Sequence, residues 1–355
     1  MLGFMKTVAT TTILSAVLAA TASARQDVRL SGAGATFPQP LYERWATEFQ
    51  KANPTIKIEY GGGGSGAGIK AITDRTVAFG ASDAPMSKKE IEAAGGEANL
   101  VEIPTCAGAV VPAYNVPGLN TPLKFTGELL AEIFMGTVTK WNDPKIAAIN
   151  PGVTLPATAI TPAWRTDGSG TTFVFTNYLA TQSESFKSSI GMGKSVKWPV
   201  GQGGKGNPGV AAVVQQTAGS IGYVELNYAE ANKMAFGQVK NKAGKFVTAS
   251  SASVTAAGSA AADTLKGSRL TAEIWNQPGD DAYPIAAFTY LILYKDLGNL
   301  KSQSEADALL SFLNWSCLGE GQTIAAEMGY APLSKAVQAK VQAAIKSLAY
   351  APSKK

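Results

Sequence analysis

The sequence predicts an α/β protein built as two lobes. Strand, glycine-rich turn and helix alternate along most of the chain, the pattern of α/β units. At about 150 residues per domain, 355 residues make two domains the default. The composition, 45% apolar and 16% charged, supplies ample core for both.

The elements follow in order. Residues 1–24 combine Lys6, an apolar and threonine-rich run and the small-residue site Ala22-Ser23-Ala24, the order of a secretory signal peptide. That run is too short and too interrupted by threonine for a membrane span. The mature chain opens with a strand, Val28–Ser31, and a small-residue turn, Gly32–Phe37. A helix follows over about Pro40–Ala52, with Leu41, Trp45 and Phe49 at four-residue spacing on one face and Asn53-Pro54 as its stop. Ile56–Tyr60 alternates as a strand, and Gly61–Gly64 leads to Ser65 and a short helix carrying Ile69, Ile72 and Thr73. Val77–Ala81 is a buried strand that ends in Ser82-Asp83, and 103–116 is another apolar strand region.

A second α/β set comes next. A helix is expected around Glu128–Met135, and another is opened by Asp143-Pro144, an N-cap followed by proline at the first helical position. Ile160–Ala163 reads as a strand before Arg165, Thr171–Ala180 as the helix after it, Gly201–Gly209 as a glycine-rich loop and Ile221–Val224 as a strand. The Ala/Ser/Thr-rich stretch 248–262 reads as a surface connection, either a flexible linker or an alanine-rich helix start. Tyr283–Tyr294 is an apolar strand, and Ala306–Trp315 and Lys335–Leu348 close the chain as helices. The chain leaves the first lobe near 107 and returns near 287, so 25–107 plus 288–355 form lobe 1 and 108–287 form lobe 2.

Composition narrows the function classes. There is no histidine, which removes Ser-His-Asp and Cys-His nucleophile arrangements, histidine-based zinc sites and histidine general bases. Without the signal segment, 30 basic residues (31 less Lys6) face 26 acidic ones, a mild excess with no Lys/Arg run, so nucleic acid is not an expected partner. Cys106 and Cys317 would be permitted to bridge in an oxidising compartment, but the sequence supplies no geometry for it. Gly61–Gly66 and Gly201–Gly206 formally match GxGxxG, which poly-glycine satisfies cheaply, and GxxxxGK[ST] is absent.

The most informative segment is Arg165-Thr166-Asp167-Gly168-Ser169-Gly170-Thr171-Thr172. An arginine precedes a tight glycine turn, and hydroxyl residues open a helix. Such a helix start presents unpaired N–H groups and partial positive charge, which suits an anion. Ser169 and Thr171 add hydroxyl donors, Arg165 adds a planar charged fork, and Asp167 is placed to hold Arg165. Ala35-Thr36-Phe37-Pro38 and Gly64-Ser65-Gly66 offer the same chemistry at two other helix starts. Each segment alone also fits an ordinary cap; the three together favour one shared ligand. Asp83 ends a strand, where ligands of open α/β sheets gather, although it also fits a turn before Pro85. Facing an anion, its carboxylate would repel a fully ionised ligand and accept a hydrogen bond from one that keeps a proton. Phosphate keeps one near neutral pH and sulfate does not.

These residues carry a resemblance. Gly32–Pro38, Phe79–Pro85 and Asp167–Thr171, with Lys197–Pro199, Gly203–Asn207 and Ile221–Glu225 in the same order, resemble the periplasmic phosphate-binding proteins of bacterial ABC-type phosphate transporters. The resemblance runs from about Leu30 into the C-terminal region. It implies a two-lobed periplasmic-binding-protein fold with crossing hinge strands. It also implies a phosphate site formed by Thr36, Phe37 (through its backbone N–H), Ser65, Asp83, Arg165, Asp167, Ser169, Gly170 and Thr171. The expected role is capture of inorganic phosphate in the periplasm and delivery to a membrane permease, by a monomer with no cofactor, no metal and no catalytic residues. A phosphatase on the same site would need a nucleophile–base pair, and none is evident.

Overall fold

Apolar side chains at helical spacing and near-continuous apolar strands generate the architecture. The computed structural model describes residues 27–351 except 120, 266 and 268; the expected signal peptide, 1–24, lies outside the described residues. Helix Gln39–Ala52 buries Leu41, Trp45 and Phe49 along one face, and Trp45 Nε1 donates to the Gly321 carbonyl at 2.7 Å. Asp143 caps helix Pro144–Ile149 by accepting from the Lys145 N–H at 2.8 Å, with proline at the first position as expected.

The strands are β1 (Val28–Gly34), β2 (Ile56–Gly62), β3 (Phe79–Ser82), β4 (Leu100–Asn115), β5 (Lys124–Phe125), β6 (Thr161–Arg165), β7 (Gln202–Gly204), β8 (Ser220–Glu225), β9 (Ala235–Phe236), β10 (Gln238–Lys240), β11 (Phe246–Val247) and β12 (Ala286–Tyr294). Among the described residues, nine form one sheet in the order β2-β1-β3-β12-β4-β8-β6-β7, with β9 on β4; β11-β10-β5 form a small second sheet. The pairs β1–β2, β1–β3, β6–β7 and β6–β8 are parallel, as crossover helices require, whereas β12 and β4 run antiparallel to each other and to their outer neighbours.

The 16 residues of β4 are shared. Leu100–Ala109 pair with β12, and Val110–Asn115 pair with β8. Two parallel groups are thereby joined through the long central strands. Both β4 and β12 are buried on both faces, which explains their largely apolar reading.

Two expectations need correction. Gly201–Gly209 is not a loop: it forms β7 and the start of helix Gly206–Gln216. Its glycines serve close packing, since a Cβ on Gly204 would lie 2.4 Å from the Gly209 carbonyl carbon. The stretch 248–262 takes the helical alternative, over Ser251–Ala257 and again from Ala261, but it is not a surface connection: Ser253, Val254 and Ala257 are buried, so it belongs to the packed body. Cys106 and Cys317 are both buried free thiols. The sequence reading also passed over helices Lys88–Ala93, Glu184–Ser189, Leu226–Ala231 and Glu320–Glu327.

One buried ion pair fastens the segment before β12 to β4. Glu102 accepts from Arg269 Nε and from the Met86 N–H at 2.9 Å, while Arg269 Nη2 donates to the Met86 carbonyl at 2.8 Å. Burial raises the Glu102 pKa despite these partners, so the pair tolerates little disruption. Arg269→Ala should destabilise the fold by about 3 kcal/mol, because it strands a buried carboxylate. Urea denaturation checks this, and a change under about 1 kcal/mol would show that the carboxylate finds water or a proton instead.

Candidate anion-binding site

Segments distant in sequence meet where the two parallel groups of strands face each other. Thr36 and Phe37 follow β1, Ser65 opens helix Ser65–Thr73, and Asp83 follows β3. Arg165 is the last residue of β6, and the loop after it carries Asp167 and Ser169 to helix Gly170–Gln182. Ser169 is the N-cap: its Oγ accepts from the Thr172 N–H at 2.9 Å. The N–H groups of Gly170 and Thr171 meet no acceptor among the described residues, and neither does that of Phe37. The helix start therefore offers free donors on top of its dipole.

The guanidinium is held in place by Asp167. Arg165 Nε donates to Asp167 Oδ1 at 2.8 Å and Nη2 to Oδ2 at 2.5 Å, while Nη1 reaches Thr171 Oγ1 at 3.2 Å. Burial pushes Asp167 up, but the hydrogen bonds and charge of Arg165 outweigh it and leave the carboxyl below its ordinary range. The arginine charge is thus largely balanced, and the fork is fixed in direction.

Asp83 behaves differently. It is buried, with Thr289 Oγ1 donating to Oδ1 at 2.8 Å and Ser65 Oγ lying 3.4 Å from Oδ2. Burial raises its pKa to about 7, against the lowering effects of Thr289, Arg165 and Ser65. Burial therefore lifts Asp83 above the ordinary carboxylate range, whereas Asp167 is held below it.

The two sides are in contact. The Gly66 N–H donates to the Gly168 carbonyl at 2.8 Å. A Cβ on Gly64, whose φ is +89°, would lie 2.1 Å from Asp167 Oδ2, and one on Gly170 would lie 2.4 Å from Asp83 Oδ2. Nearby, Lys194 Nζ pairs with Glu90 Oε1 at 2.6 Å, and the Lys194 carbonyl accepts from the Ser169 N–H at 2.8 Å. Asp83, Ser65 and Gly170 thus form one group, and Thr36, Thr171, Arg165 and Asp167 a second. Asn207 joins Thr36 to Thr171. Phe37 is the exception in kind: its ring is core, its carbonyl accepts from Tyr330, and only its N–H is left to offer.

Sequence reasoning missed three buried residues around this group. Asn207 contacts two of the hydroxyls. Thr289 sits at a register irregularity between β12 and β4, the kind of bulge that re-aims a side chain, and it donates to Asp83. Glu225 lies behind the site, where burial lifts its pKa to about 8 against hydrogen bonds from Asn227 and Tyr330. Among the described residues there is no group of three or more side chains able to hold a metal ion.

This geometry can be set beside known proteins. A family model described as a PBP superfamily domain matches residues 19–319. The phosphate-binding protein PstS of Pasteurella multocida is 42% identical over 333 residues, spanning 93% of this chain and 94% of that protein. The chain belongs to the PstS family of phosphate-binding proteins. The PstS of Xylella fastidiosa is 43% identical over 87% of this chain and 82% of its own length. Among solved structures, the phosphate-binding protein from Stenotrophomonas maltophilia superposes with a TM-score of 0.70 at 21% identity, over 89% of this chain and 93% of that one. A putative phosphate ABC transporter substrate-binding protein from Clostridium perfringens, with bound phosphate, gives 0.63 at 20% identity, over 86% and 100%. At these identities the structures bear on the fold, which is the periplasmic-binding-protein α/β fold.

Proposed function

We propose that this PstS-family chain captures inorganic phosphate between two lobes and delivers it to the permease of an ABC transporter. In this reading lobe 1 is 25–107 plus 288–355, lobe 2 is 108–287, and β4 and β12 are the crossing strands. The leader 1–24 directs a monomer to the periplasm, and the protein binds its ligand without chemical turnover.

The observation that carries the reading is Asp83, a buried carboxylate set against the donor-rich start of helix Gly170–Gln182. Apart from Asp167, whose carboxylate is taken up by Arg165 and the Gly206 N–H, the rest of the site is donors, and an acceptor there suits only an anion that brings a proton. Phosphate does so near neutral pH, and its remaining oxygens would accept from Arg165, from the Gly170 and Thr171 N–H groups, and from the hydroxyls of Thr36, Ser65, Ser169 and Thr171. Each lobe supplies only part of that shell, so full coordination requires the lobes to close. The Lys194–Glu90 ion pair and the Gly66–Gly168 hydrogen bond support such a closed arrangement.

Calorimetric titration of phosphate-stripped protein at pH 7 should give one-to-one phosphate binding at about −8 kcal/mol or better and no sulfate heat. Sulfate heat equal to that of phosphate would overturn the role of Asp83. Asp83→Asn should shrink the preference for phosphate over sulfate by about 100-fold, since an amide can donate to a fully ionised oxygen.

The raised pKa of Asp83 also fixes a sign. Between the unfolded carboxylate pKa and about 7 the native state binds more protons than the unfolded one, so stability falls as pH rises. Glu225 acts in the same direction up to about 8. The melting temperature of phosphate-free protein should therefore fall from about pH 5 to about pH 8, and Asp83→Asn should flatten that fall. A profile rising through this window would contradict both assignments.

A further inference from the structure

We infer that Asn207 is a positioning residue, which forces the hydroxyls of Thr36 and Thr171 to act as donors toward the bound anion. The inference rests on the phosphate-binding reading and deepens it.

Asn207 is buried near the start of helix Gly206–Gln216. Its Oδ1 accepts from the Glu225 N–H at 2.9 Å, at the end of β8. That bond selects the orientation of the amide, because a flipped side chain would set its NH2 against another N–H. The two Nδ2 protons then go to Thr36 Oγ1 at 2.9 Å and Thr171 Oγ1 at 3.2 Å. Thr36 Oγ1 also accepts from the Asn207 backbone N–H at 3.0 Å, and Thr171 Oγ1 also accepts from Arg165 Nη1 at 3.2 Å.

A hydroxyl has one proton and two lone pairs. Each of these two hydroxyls already accepts twice, and neither donates to any acceptor among the described residues. What each has left to offer is its proton. With the phosphate proton directed to Asp83, the other oxygens are pure acceptors, so a hydroxyl that turned a lone pair to one of them would repel it. Asn207 removes that alternative at both positions at once.

The anchoring is rigid for local reasons. The Gly206 N–H donates to Asp167 Oδ1 at 2.9 Å, so the carboxylate that fixes Arg165 also fixes the helix start bearing Asn207. Thr36 lies 171 residues before Asn207, on the opposite side of the proposed cleft, whereas Thr171 lies on the same side. The arrangement is therefore complete only when the two sides meet, which couples hydroxyl orientation to closure.

The test is calorimetric titration with inorganic phosphate at pH 7 of the wild type, Asn207→Ala, Asn207→Asp, Thr36→Val/Thr171→Val, and that double variant combined with Asn207→Ala. Thermal unfolding of each phosphate-free protein checks folding. Asn207→Ala should weaken binding by about 30-fold. Added to Thr36→Val/Thr171→Val it should weaken binding by less than about threefold more, because the hydroxyls it acts through are gone. Asn207→Asp keeps the shape and the acceptor for Glu225 but draws both hydroxyl protons to itself, so it should bind more weakly than Asn207→Ala.

If the loss from Asn207→Ala is undiminished in the combined variant, or if Asn207→Asp binds like the wild type, the inference is overturned while the phosphate reading stands. If the wild type itself gives no phosphate heat, both fall together. Should Asn207→Ala fail to fold, Asn207→Asp set against the wild type still decides.

Discussion

Arg165→Ala is expected to lower phosphate affinity by about 1,000-fold or more, the figure implied by losing two charged hydrogen bonds at roughly 2 kcal/mol each. Two effects act in the same direction. The guanidinium is almost wholly buried and is held by Asp167 through two hydrogen bonds, so the anion would lose a fork already fixed in direction. Removing it also strips Asp167 of the partner that holds its pKa down, and leaves a second carboxylate near the anion. Arg165→Lys should recover only part of the loss, since an ammonium restores charge without the planar fork. Calorimetry at pH 7 measures both, and the thermal shift on adding phosphate gives an independent reading, because a ligand bound only by the native state stabilises it by RT ln(1 + [L]/Kd). Alanine-variant binding within about tenfold of the wild type would mean that the hydroxyl and N–H donors dominate and that Arg165 is mainly structural.

The parts of the candidate site that could be read from sequence are those whose chemistry is local. Arg165, Asp167, Ser169, Gly170 and Thr171 lie within seven consecutive residues, and a strand end, a glycine turn and a capped helix start each leave a signature at short range. Ser65 and Thr36 were legible for the same reason. Thr289 was not, because nothing beside it in the chain marks it, and Asn207 and Glu225 stood only inside segments of the resemblance, with no local sign of a role at the site. Asn207 meets Thr36 across 171 residues and Thr289 meets Asp83 across 206, so only the sheet order brings them together.

The misread segments fail in a related way. Glycine density at 201–209 looks like loop chemistry, yet there it answers a close backbone approach between β7 and the following helix. Small residues at 248–262 look like a linker, yet they let a helix pack on the body. Composition records that small residues are required but not what stands opposite them. Strands β1–β4, β6, β8 and β12 and the amphipathic first helix were legible because burial on a strand or helix face writes a pattern into the sequence.

That same distinction sets the second large effect, at Gly170. Its φ does not lie in the left-handed region, so the backbone alone would accept alanine. The obstacle is across the cleft. A methyl there would sit 2.4 Å from Asp83 Oδ2 and 2.5 Å from Ser65 Oγ, well inside contact distance. Neither neighbour is a flexible side-chain end. Asp83 is tied to Thr289, and Ser65 accepts from the Asp83 N–H at 3.1 Å. Closure would then have to stop short, leaving the Gly170 and Thr171 N–H groups and Asp83 too far apart to share one anion. Gly170→Ala should therefore reduce phosphate affinity by about 100-fold or more, and thermal unfolding of the phosphate-free variant checks that it folds. Arg165→Ala acts differently, because it removes donors and strands Asp167 rather than holding the two sides apart. A Gly170→Ala variant that binds phosphate normally would show that anion capture does not need the close meeting of Gly170 with Ser65 and Asp83, and would shift the weight of the site onto the Arg165 side alone.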